Sequence, residues 1–369
     1  MRAPHLVLGP LLAGLIACSA APQTTPTPVD GGQTPVDGGQ TPIDGGQTPV
    51  DGGTVRLPRG SVQGVGPCAQ PPPSTIPSTT CQEMSIECPA LTPLRVTVLV
   101  SRPPAGVVVR GTVVLGTGGG GTAFYEGSPA SGAMVERLRV AGFVVVQRAW
   151  ERGWHLTTAG MAGAACRYAT LLQWVRDNVH ATGGFCATGN SAGSAEIAFS
   201  LSRYGMDAVL DFAVPTGGPP VGRMDEACPA TQSSTWPGQC AALLSQYPGA
   251  CPSTVCTYNG FGQQYVDGAY ASMPCSSGPA SAAVTLRADS VASPDARLQL
   301  SIPVHAIMGK LDCTQAVSQG LAWFDAIESE KTIEFVGNTG HEVQQTVEGS
   351  AAIEQALAGP SGCIARPHP

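Results

Sequence analysis

The chain has 369 residues, of which 43% are hydrophobic and only 12% are charged, and its formal net charge at pH 7 is -7. This acidic balance excludes the basic surface by which proteins bind nucleic acid, so no nucleic-acid partner is expected. The sequence also lacks an apolar run long enough to form a membrane-spanning helix.

Residues 1–18 have the features of a secretory signal peptide, with Arg2 followed by an apolar segment at 6–17 that is too short to cross a membrane. The segment ends in Leu15-Ile16-Ala17-Cys18, which resembles the lipobox of bacterial lipoproteins. In that family the cysteine is acylated and becomes the first residue of the mature protein. The following Ser19 resembles the outer-membrane sorting pattern. We therefore expect an outer-membrane lipoprotein anchored through Cys18; ordinary signal cleavage and a secreted soluble protein are the alternative.

Residues 19–79 are predicted to be a disordered tether. Within them, residues 27–54 hold four copies of a seven-residue unit, Thr-Pro-Val/Ile-Asp-Gly-Gly-Gln, the last ending in Thr54. Each unit offers little apolar surface to bury, so burial cannot offset the entropy lost on ordering. The proline and paired glycines also exclude the coiled coil that a seven-residue period suggests.

The remainder, residues 80–369, is long enough for one large domain with a substantial core. Branched apolar runs predict strands at 94–100, 107–115, 143–148, 184–188, 208–214, 304–308 and 332–336. Helices are predicted at 133–141, 158–179, 194–203, 315–329 and 342–358. The short link at 101–106 favours a hairpin between the first two strands, whereas the later helical connections favour parallel crossovers.

Apart from Cys18, twelve of the 13 cysteines remain, an even number in a chain with an export signal. This pattern favours disulfide bonds. A structural zinc site is a weaker interpretation because no C-x-x-C pair occurs. Five cysteines lie between residues 215 and 297, in a connection far longer than a usual loop: Cys228, Cys240, Cys251, Cys256 and Cys275. We expect this insertion to be an ordered cap joined by disulfides.

A candidate nucleophile lies in Gly189-Asn190-Ser191-Ala192-Gly193, between a predicted strand and a predicted helix. A serine hydroxyl attacks a carbonyl only when a tight turn exposes it beside a base and amide donors. Glycines two residues to either side permit that turn and a close approach of strand and helix. In a chain with 47 glycines the pentapeptide alone is weak, so the remaining sequence must supply a base and an acid.

The positions of the six histidines in the predicted elements indicate which of them can act as the base. Four are unsuited to act as the base, because they lie in the signal, the tail, a helix end or a strand: His5, His368, His180 and His305. His341 lies in a glycine-flanked loop after the last predicted strand and is the candidate base, whereas His155 is expected to line the pocket or cap the next helix. Asp312, just after the penultimate strand, is the candidate acid. Asp211 lies within a strand and Asp225 in the insertion; Asp312 could instead cap the following helix.

This order, with a nucleophile turn, an acid after a late strand and a histidine after the last strand, resembles the α/β-hydrolase family over residues 84–358. The resemblance implies an α/β fold with a mostly parallel sheet, helices on both faces and a cap insertion at about 215–297. It also implies an oxyanion hole formed by the amide of Ala192 and by the glycine loop at 116–121. Gly119 and Gly120 are the candidate donors in that loop, in which Thr117 replaces the family's histidine. A phosphate-binding loop is the rival interpretation, but no Lys-Ser/Thr follows.

Aromatic residues near these loops are candidates for the substrate pocket. Tyr125 follows the glycine loop, and Trp150 and Trp154 follow the strand at 143–148, at the same expected edge of the sheet. Each of the three is equally compatible with a place in the core. The insertion adds further aromatic side chains: Trp236, Tyr247, Tyr258, Tyr265 and Tyr270.

The resemblance implies a serine hydrolase that cleaves carboxylic esters through an acyl-enzyme and needs neither a metal nor an organic cofactor. Small-molecule or polymeric esters outside the cell, including aryl esters, are the expected substrates. An amidase or acyltransferase using the same residues is one alternative. A catalytically silent surface protein that serves binding or adhesion is the other.

Overall fold

A computed structural model describes residues 56–292 and 298–366; the signal segment, Cys18 and the repeats at 27–54 lie outside the described residues. Nine strands form one sheet: β1 (Ser61–Pro67), β2 (Thr79–Glu87), β3 (Leu94–Ser101), β4 (Gly111–Gly116), β5 (Phe143–Trp150), β6 (Gly184–Asn190), β7 (Phe212–Thr216), β8 (Val304–Gly309) and β9 (Lys331–Val336). Their order is β1-β2-β3-β5-β4-β6-β7-β8-β9. The first four strands in this order, β1-β2-β3-β5, pair in antiparallel fashion, and all pairs from β5 through β4 to β9 are parallel.

The helices of the described residues are α1 (Pro129–Val140), α2 (Gly160–Asn178), α3 (Ala192–Tyr204), α4 (Met224–Ala227), α5 (Trp236–Ser245), α6 (Gly260–Asp267), α7 (Ala282–Asp289), α8 (Gln315–Ala326) and α9 (Val347–Ala358). The helices α4 to α7 belong to the insertion between β7 and β8. None of the helices in the described part of the chain is both long and apolar enough to cross a membrane.

The sheet has a hydrophobic core on each face. Adjacent residues of a strand point to opposite faces, and Val113 and Val114 of β4 accordingly belong to different clusters. Val114 packs with residues of α2, α3 and α8, such as Trp323, whereas Val113 packs with residues of α1 and α9, such as Ile353. Strands that are buried on both faces have continuous apolar runs in their sequence, without polar alternation. The predicted α/β fold, with a mostly parallel sheet and helices on both faces, is confirmed.

Side-chain caps begin three of the helices around the sheet. Ser128 at α1, Thr314 at α8 and Thr346 at α9 each accept a hydrogen bond from a backbone N–H two or three residues later. The helix α3 departs from this pattern, because Ser191 occupies its N-cap position and its side chain makes no capping hydrogen bond. The Ser191 hydroxyl is thereby left for another partner.

The hairpin expected between the strands at 94–100 and 107–115 is wrong. These strands, β3 and β4, do not pair, because β5 lies between them and bonds to both. Neighbouring strands are about 4.8 Å apart, so residues 102–110 are long enough to pass over one strand. The hairpin partner of β3 is β2, which the sequence analysis did not predict.

The folded domain begins earlier in the chain than residue 80. Residues 61–67, predicted to belong to the tether, form β1 at the edge of the sheet and pair with β2. The disulfide Cys68–Cys81 joins the two strands. Most of β1 is exposed, so backbone pairing and a covalent link stabilise it instead of apolar burial, and its sequence carries no apolar alternation.

The expectation of disulfides is confirmed: all twelve cysteines are paired, as Cys68–Cys81, Cys88–Cys166, Cys186–Cys363, Cys228–Cys275, Cys240–Cys256 and Cys251–Cys313. Two of these bonds lie within the insertion. A third, Cys251–Cys313, links the insertion to the residue that follows Asp312. The insertion is therefore covalently joined to the loop after β8.

Candidate active site

Ser191 lies on a tight turn between β6 and α3. Its backbone has φ 52° and ψ -115°, a region that residues other than glycine rarely adopt, at a cost of about 1–3 kcal/mol. The Ser191 N–H donates to the Thr216 carbonyl at 2.8 Å, which anchors the turn to β7. A Cβ atom at Gly189 would lie 2.6 Å from the carbonyl carbon of Gly193. A Cβ atom at Gly193 would lie 2.6 Å from the Gly116 carbonyl oxygen, so Gly189 permits the approach of β6 to α3 and Gly193 permits that of α3 to the end of β4.

The structure brings the other two candidates to this turn. His341 Nε2 lies 2.8 Å from Ser191 Oγ, and His341 Nδ1 lies 2.8 Å from Asp312 Oδ2. Asp312 follows β8 and His341 follows β9, and parallel neighbours end at the same edge of the sheet. The Asp312 side chain is fully buried, and its second oxygen accepts the Thr314 N–H at 3.0 Å. Asp312 therefore contacts both the histidine and the first residues of α8.

The surroundings of His341 favour its protonated form. Burial opposes protonation, but the hydrogen bond that His341 donates to Asp312 and the charges of Asp312 and Glu342 outweigh it, so the pKa of His341 is raised above its ordinary value. With Nδ1–H donating to Asp312, Nε2 is the atom that can accept a proton from Ser191. The arrangement is that of a base held in one tautomer and orientation.

A second group of polar residues, which the sequence analysis did not predict, joins the nucleophile turn to the histidine loop. Asn190 Nδ2 donates to Glu342 Oε2 at 3.1 Å, and Gln344 Nε2 donates to the same oxygen at 2.9 Å. Asn190 Oδ1 accepts from Thr216 Oγ1 at 2.9 Å and from the Val343 N–H at 3.3 Å. The only sequence signal for Asn190 and Glu342 was their position beside the nucleophile and the histidine.

The glycine loop after β4 reaches the nucleophile. Gly119 and Ala192, two of the candidate oxyanion donors, line the same cavity as Ser191. Gly118 lies closer still, since a Cβ atom there would be 3.0 Å from Ser191 Cβ and 3.6 Å from Ser191 Oγ. Gly118 was not among the predicted donors, although it belongs to the same glycine run.

Gly120, the other candidate donor of the glycine loop, contacts the segment after β5. It does not line the cavity beside the nucleophile, and its carbonyl instead accepts the Trp154 N–H at 3.1 Å. A Cβ atom on Gly120 would lie 2.9 Å from Gly153 Cα. The physical reason is the turn itself: Gly121 N–H donates to the Gly118 carbonyl at 3.0 Å, which directs Gly120 towards the segment after β5.

A fully buried ion pair supports the glycine loop. Arg148 on β5 donates to the Gly121 carbonyl at 3.0 Å and to the Thr117 carbonyl at 3.1 Å, and it pairs with Glu196 on α3. Trp150 Nε1 donates to the other Glu196 oxygen at 2.6 Å. Burial raises the pKa of Glu196 to about 6, although the charge of Arg148 opposes this. The pair thus connects both ends of the loop to the helix that begins at the nucleophile.

The nucleophile and the histidine open onto a cavity of about 240 Å³. The insertion supplies much of its wall, including Tyr258, Phe261 and Tyr265. Phe261 is 68% exposed, which places it towards solvent, whereas Tyr258 is buried and donates from its hydroxyl to the Pro220 carbonyl at 2.5 Å. Within the described residues, no group of three or more His, Cys, Asp or Glu side chains could hold a metal ion.

The three aromatic residues predicted for the pocket do not line this cavity. Trp150 and Trp154 are buried in the core that faces α2, and their backbone N–H groups donate to carbonyls of the glycine loop. Tyr125 lines a neighbouring cavity instead. His155, expected to line the pocket or cap a helix, lies 4.2 Å from the Tyr265 ring between centroids and is buried beneath the insertion.

No protein-family model and no curated protein matches this chain. It is similar to several solved structures. A hyperthermophilic esterase from the archaeon Pyrobaculum calidifontis is 18% identical with a TM-score of 0.48, over 76% of this chain and 84% of that one. Est1E from Butyrivibrio proteoclasticus is 11% identical with a TM-score of 0.45, over 74% and 99%. A thermophilic esterase from Thermogutta terrifontis is 16% identical with a TM-score of 0.43, over 74% and 96%. The function proposed below is therefore inferred from this chain's own residues.

Proposed function

We propose that this protein is a serine hydrolase that cleaves carboxylic esters through an acyl-enzyme. One observation carries the proposal: Ser191 Oγ, on a strained turn at the wall of a cavity, lies 2.8 Å from an imidazole whose other nitrogen lies 2.8 Å from a buried carboxylate. A binding protein has no need of this arrangement, since strain and a buried carboxylate both lower stability.

In the proposed reaction, His341 Nε2 takes the proton of Ser191 Oγ as Oγ attacks the ester carbonyl carbon. The tetrahedral oxyanion accepts hydrogen bonds from the amides of Ala192 and of the glycine loop around Gly119. The imidazolium, stabilised by Asp312, then protonates the departing alcohol oxygen. Water activated by the same nitrogen releases the acid and restores the serine.

The test compares Ser191→Ala with Ser200→Ala on short-chain chromogenic esters. Ser200 is a matched control because it is a buried serine on α3, the helix that follows Ser191, and its hydroxyl has no hydrogen-bond partner in the described part of the chain. We expect Ser191→Ala to lower kcat by about a thousandfold or more, since it removes the attacking atom, and Ser200→Ala to retain activity.

Two outcomes contradict the proposal. Equal rates for the wild type and Ser191→Ala would remove this serine from the mechanism. Failure of the wild type to turn over any ester or amide would favour a surface-binding protein. Turnover of amides, or transfer of the acyl group to an added alcohol, would show that the same residues serve an amidase or an acyltransferase.

We further propose that the protein is exported and anchored to the outer membrane through Cys18. The six disulfides support export, because such bonds persist in oxidising compartments outside the cytosol. Cys18→Ala is expected to move the protein from the membrane fraction to the soluble fraction, as judged by fractionation and immunoblot. Unchanged membrane association would contradict the anchor.

A further inference from the structure

A second cavity adjoins the first at the glycine loop. It has a volume of about 410 Å³, and its wall includes Gly118, Gly119, Tyr125, Ser128, Glu342 and Gln344. Gly119 lines both cavities, so they meet at the candidate oxyanion hole. An ester bound at Ser191 has two halves to accommodate, and there are two adjoining cavities to receive them.

The two cavities differ in chemistry. The insertion lines the first with aromatic rings, among them Tyr258, Phe261 and Tyr265. The wall of the second carries the Glu342 carboxylate and the Gln344 amide, and both belong to the loop after the histidine. The wall of the first cavity is mainly apolar and that of the second is more polar, so the first suits a mainly apolar group and the second suits a polar one.

Gln344 indicates which polar group the second cavity accepts. The residue is 3% exposed, and its Nε2 donates to Glu342. Its Oε1 is buried without a hydrogen-bond partner among the described residues. A buried acceptor left unpaired costs free energy, which a ligand donor would recover. A cavity wall that carries a carboxylate and a glutamine with a buried, unpaired amide oxygen calls for a ligand with several donors.

We propose that the second cavity binds the alcohol half of the substrate and that this alcohol is a polyol or a sugar, whose hydroxyls donate to Glu342 and Gln344. The inference rests on the proposed function and names its substrate class. Ser191 lines the first cavity, so the acyl group that stays bound to Oγ lies there. Each turnover consumes one water and releases the acid and the polyol, whose leaving oxygen receives its proton from His341.

The experiment compares butyl butyrate with glycerol 1-monobutyrate and a glucose monobutyrate, which share one acyl group. For the wild type we expect kcat/KM to be about tenfold or more higher for the polyol esters than for butyl butyrate. Gln344→Leu, of similar size but without the acceptor, is expected to lower kcat/KM for the polyol esters about tenfold more than for butyl butyrate.

Gln315→Leu is the matched control. Gln315 is also buried, and its Oε1 has no partner where the structure describes the chain, but it lines the first cavity. Its replacement is expected to change kcat/KM for all three esters by the same factor. A second measurement needs no variant: free glycerol or glucose should inhibit wild-type hydrolysis of butyl butyrate competitively.

The outcomes separate this inference from the proposed function. Hydrolysis of all three esters at equal kcat/KM, without inhibition by free polyol, overturns the polyol subsite and leaves the hydrolase intact. A preference for the polyol esters that is lost in Gln315→Leu but kept in Gln344→Leu overturns the assignment of the cavities. If a choline ester, whose alcohol half is a cation, has a higher kcat/KM than the glyceryl ester, the proposal that the second cavity binds a neutral polyol is overturned. If no ester is hydrolysed, both proposals fail.

Discussion

At the scale of single residues, the turn at Ser191 shows how local strain and long-range contacts combine. The backbone at φ 52° is held by the Thr216 carbonyl on one side and by the first turn of α3 on the other. The serine therefore cannot cap its own helix, and its hydroxyl is directed to His341 instead. Strain of this kind persists because the surrounding strand and helix determine the position of the residue more strongly than its own preference does.

The raised pKa of His341 predicts the acidic limb of the pH profile. Below this pKa the imidazole is protonated and cannot act as a base, so kcat/KM falls at a pH above the ordinary histidine pKa. Asp312→Asn removes the charge that favours protonation. We expect the limb to move to lower pH and kcat to fall by about 10³- to 10⁴-fold, measured as initial rates across pH.

Glu342→Gln provides the graded comparison for that profile. The charge of Glu342 also raises the pKa of His341, but by less than Asp312 does. The acidic limb is therefore expected to shift in the same direction by a smaller amount. An acidic limb that stays at the wild-type pH in both variants would exclude His341 as the titrating base.

At the scale of elements, the glycine loop depends on side chains from two neighbours. A run of glycines has no side chains of its own to fix its conformation. Arg148 of β5 instead binds the carbonyls of Thr117 and Gly121, and Glu196 of α3 fixes the arginine. The ion pair is fully buried, so its two charges depend strongly on each other.

Because the two charges depend on each other, removing one or both of them distinguishes an effect on stability from an effect on activity. Arg148→Met alone leaves a buried carboxylate unpaired and is expected to destabilise the protein by about 3–5 kcal/mol in urea unfolding. Arg148→Met with Glu196→Gln removes both charges while keeping an acceptor for the Trp150 indole, and most of the stability is expected to return.

In that double variant kcat/KM is nevertheless expected to stay about tenfold or more below wild type, because the loop carbonyls have lost their donors. If the double variant regains its stability and also has wild-type kcat/KM, the ion pair stabilises the fold but does not position the loop.

The elements predicted from sequence succeeded where the pattern is local. The strand, turn and helix around Ser191 occupy neighbouring residues, and the turn needs only glycines at fixed spacing. The hairpin of β3 and β4 failed because strand neighbours are chosen by packing of whole faces, which put the apolar β5 between them. The strand β1 was missed because an exposed edge strand needs no apolar alternation.

At the scale of the whole molecule, the insertion is joined to the candidate acid loop. The disulfide Cys251–Cys313 ends at the residue after Asp312, and the Val255 N–H donates to the Cys313 carbonyl at 3.2 Å. The insertion also lines the cavity at the nucleophile. One covalent bond thus relates the position of the insertion to that of the acid.

Replacing both cysteines of this pair by serine tests the relation. Cys68→Ser with Cys81→Ser is the matched control, because that bond joins β1 to β2. By loop entropy, with sequence separations of 62 and 13, the two losses are expected to cost about 4 and about 3 kcal/mol. Below both unfolding midpoints, only the Cys251 and Cys313 variant is expected to lose kcat/KM. Equal kcat/KM in the two double variants would show that the Cys251–Cys313 bond does not position Asp312.

Spacing along the chain and parity were enough to predict the α/β class, the disulfide bonding of the cysteines and the grouping of Ser191, Asp312 and His341. The pairing of the cysteines, the place of β5 in the sheet, and the approach of Gly118 to the nucleophile while Gly120 turns away follow from tertiary contacts. Only the tertiary structure showed Arg148 beneath the loop and Gln344 in a second cavity. These features arise from contacts between residues far apart in sequence, and packing selects such contacts among many that local propensity allows.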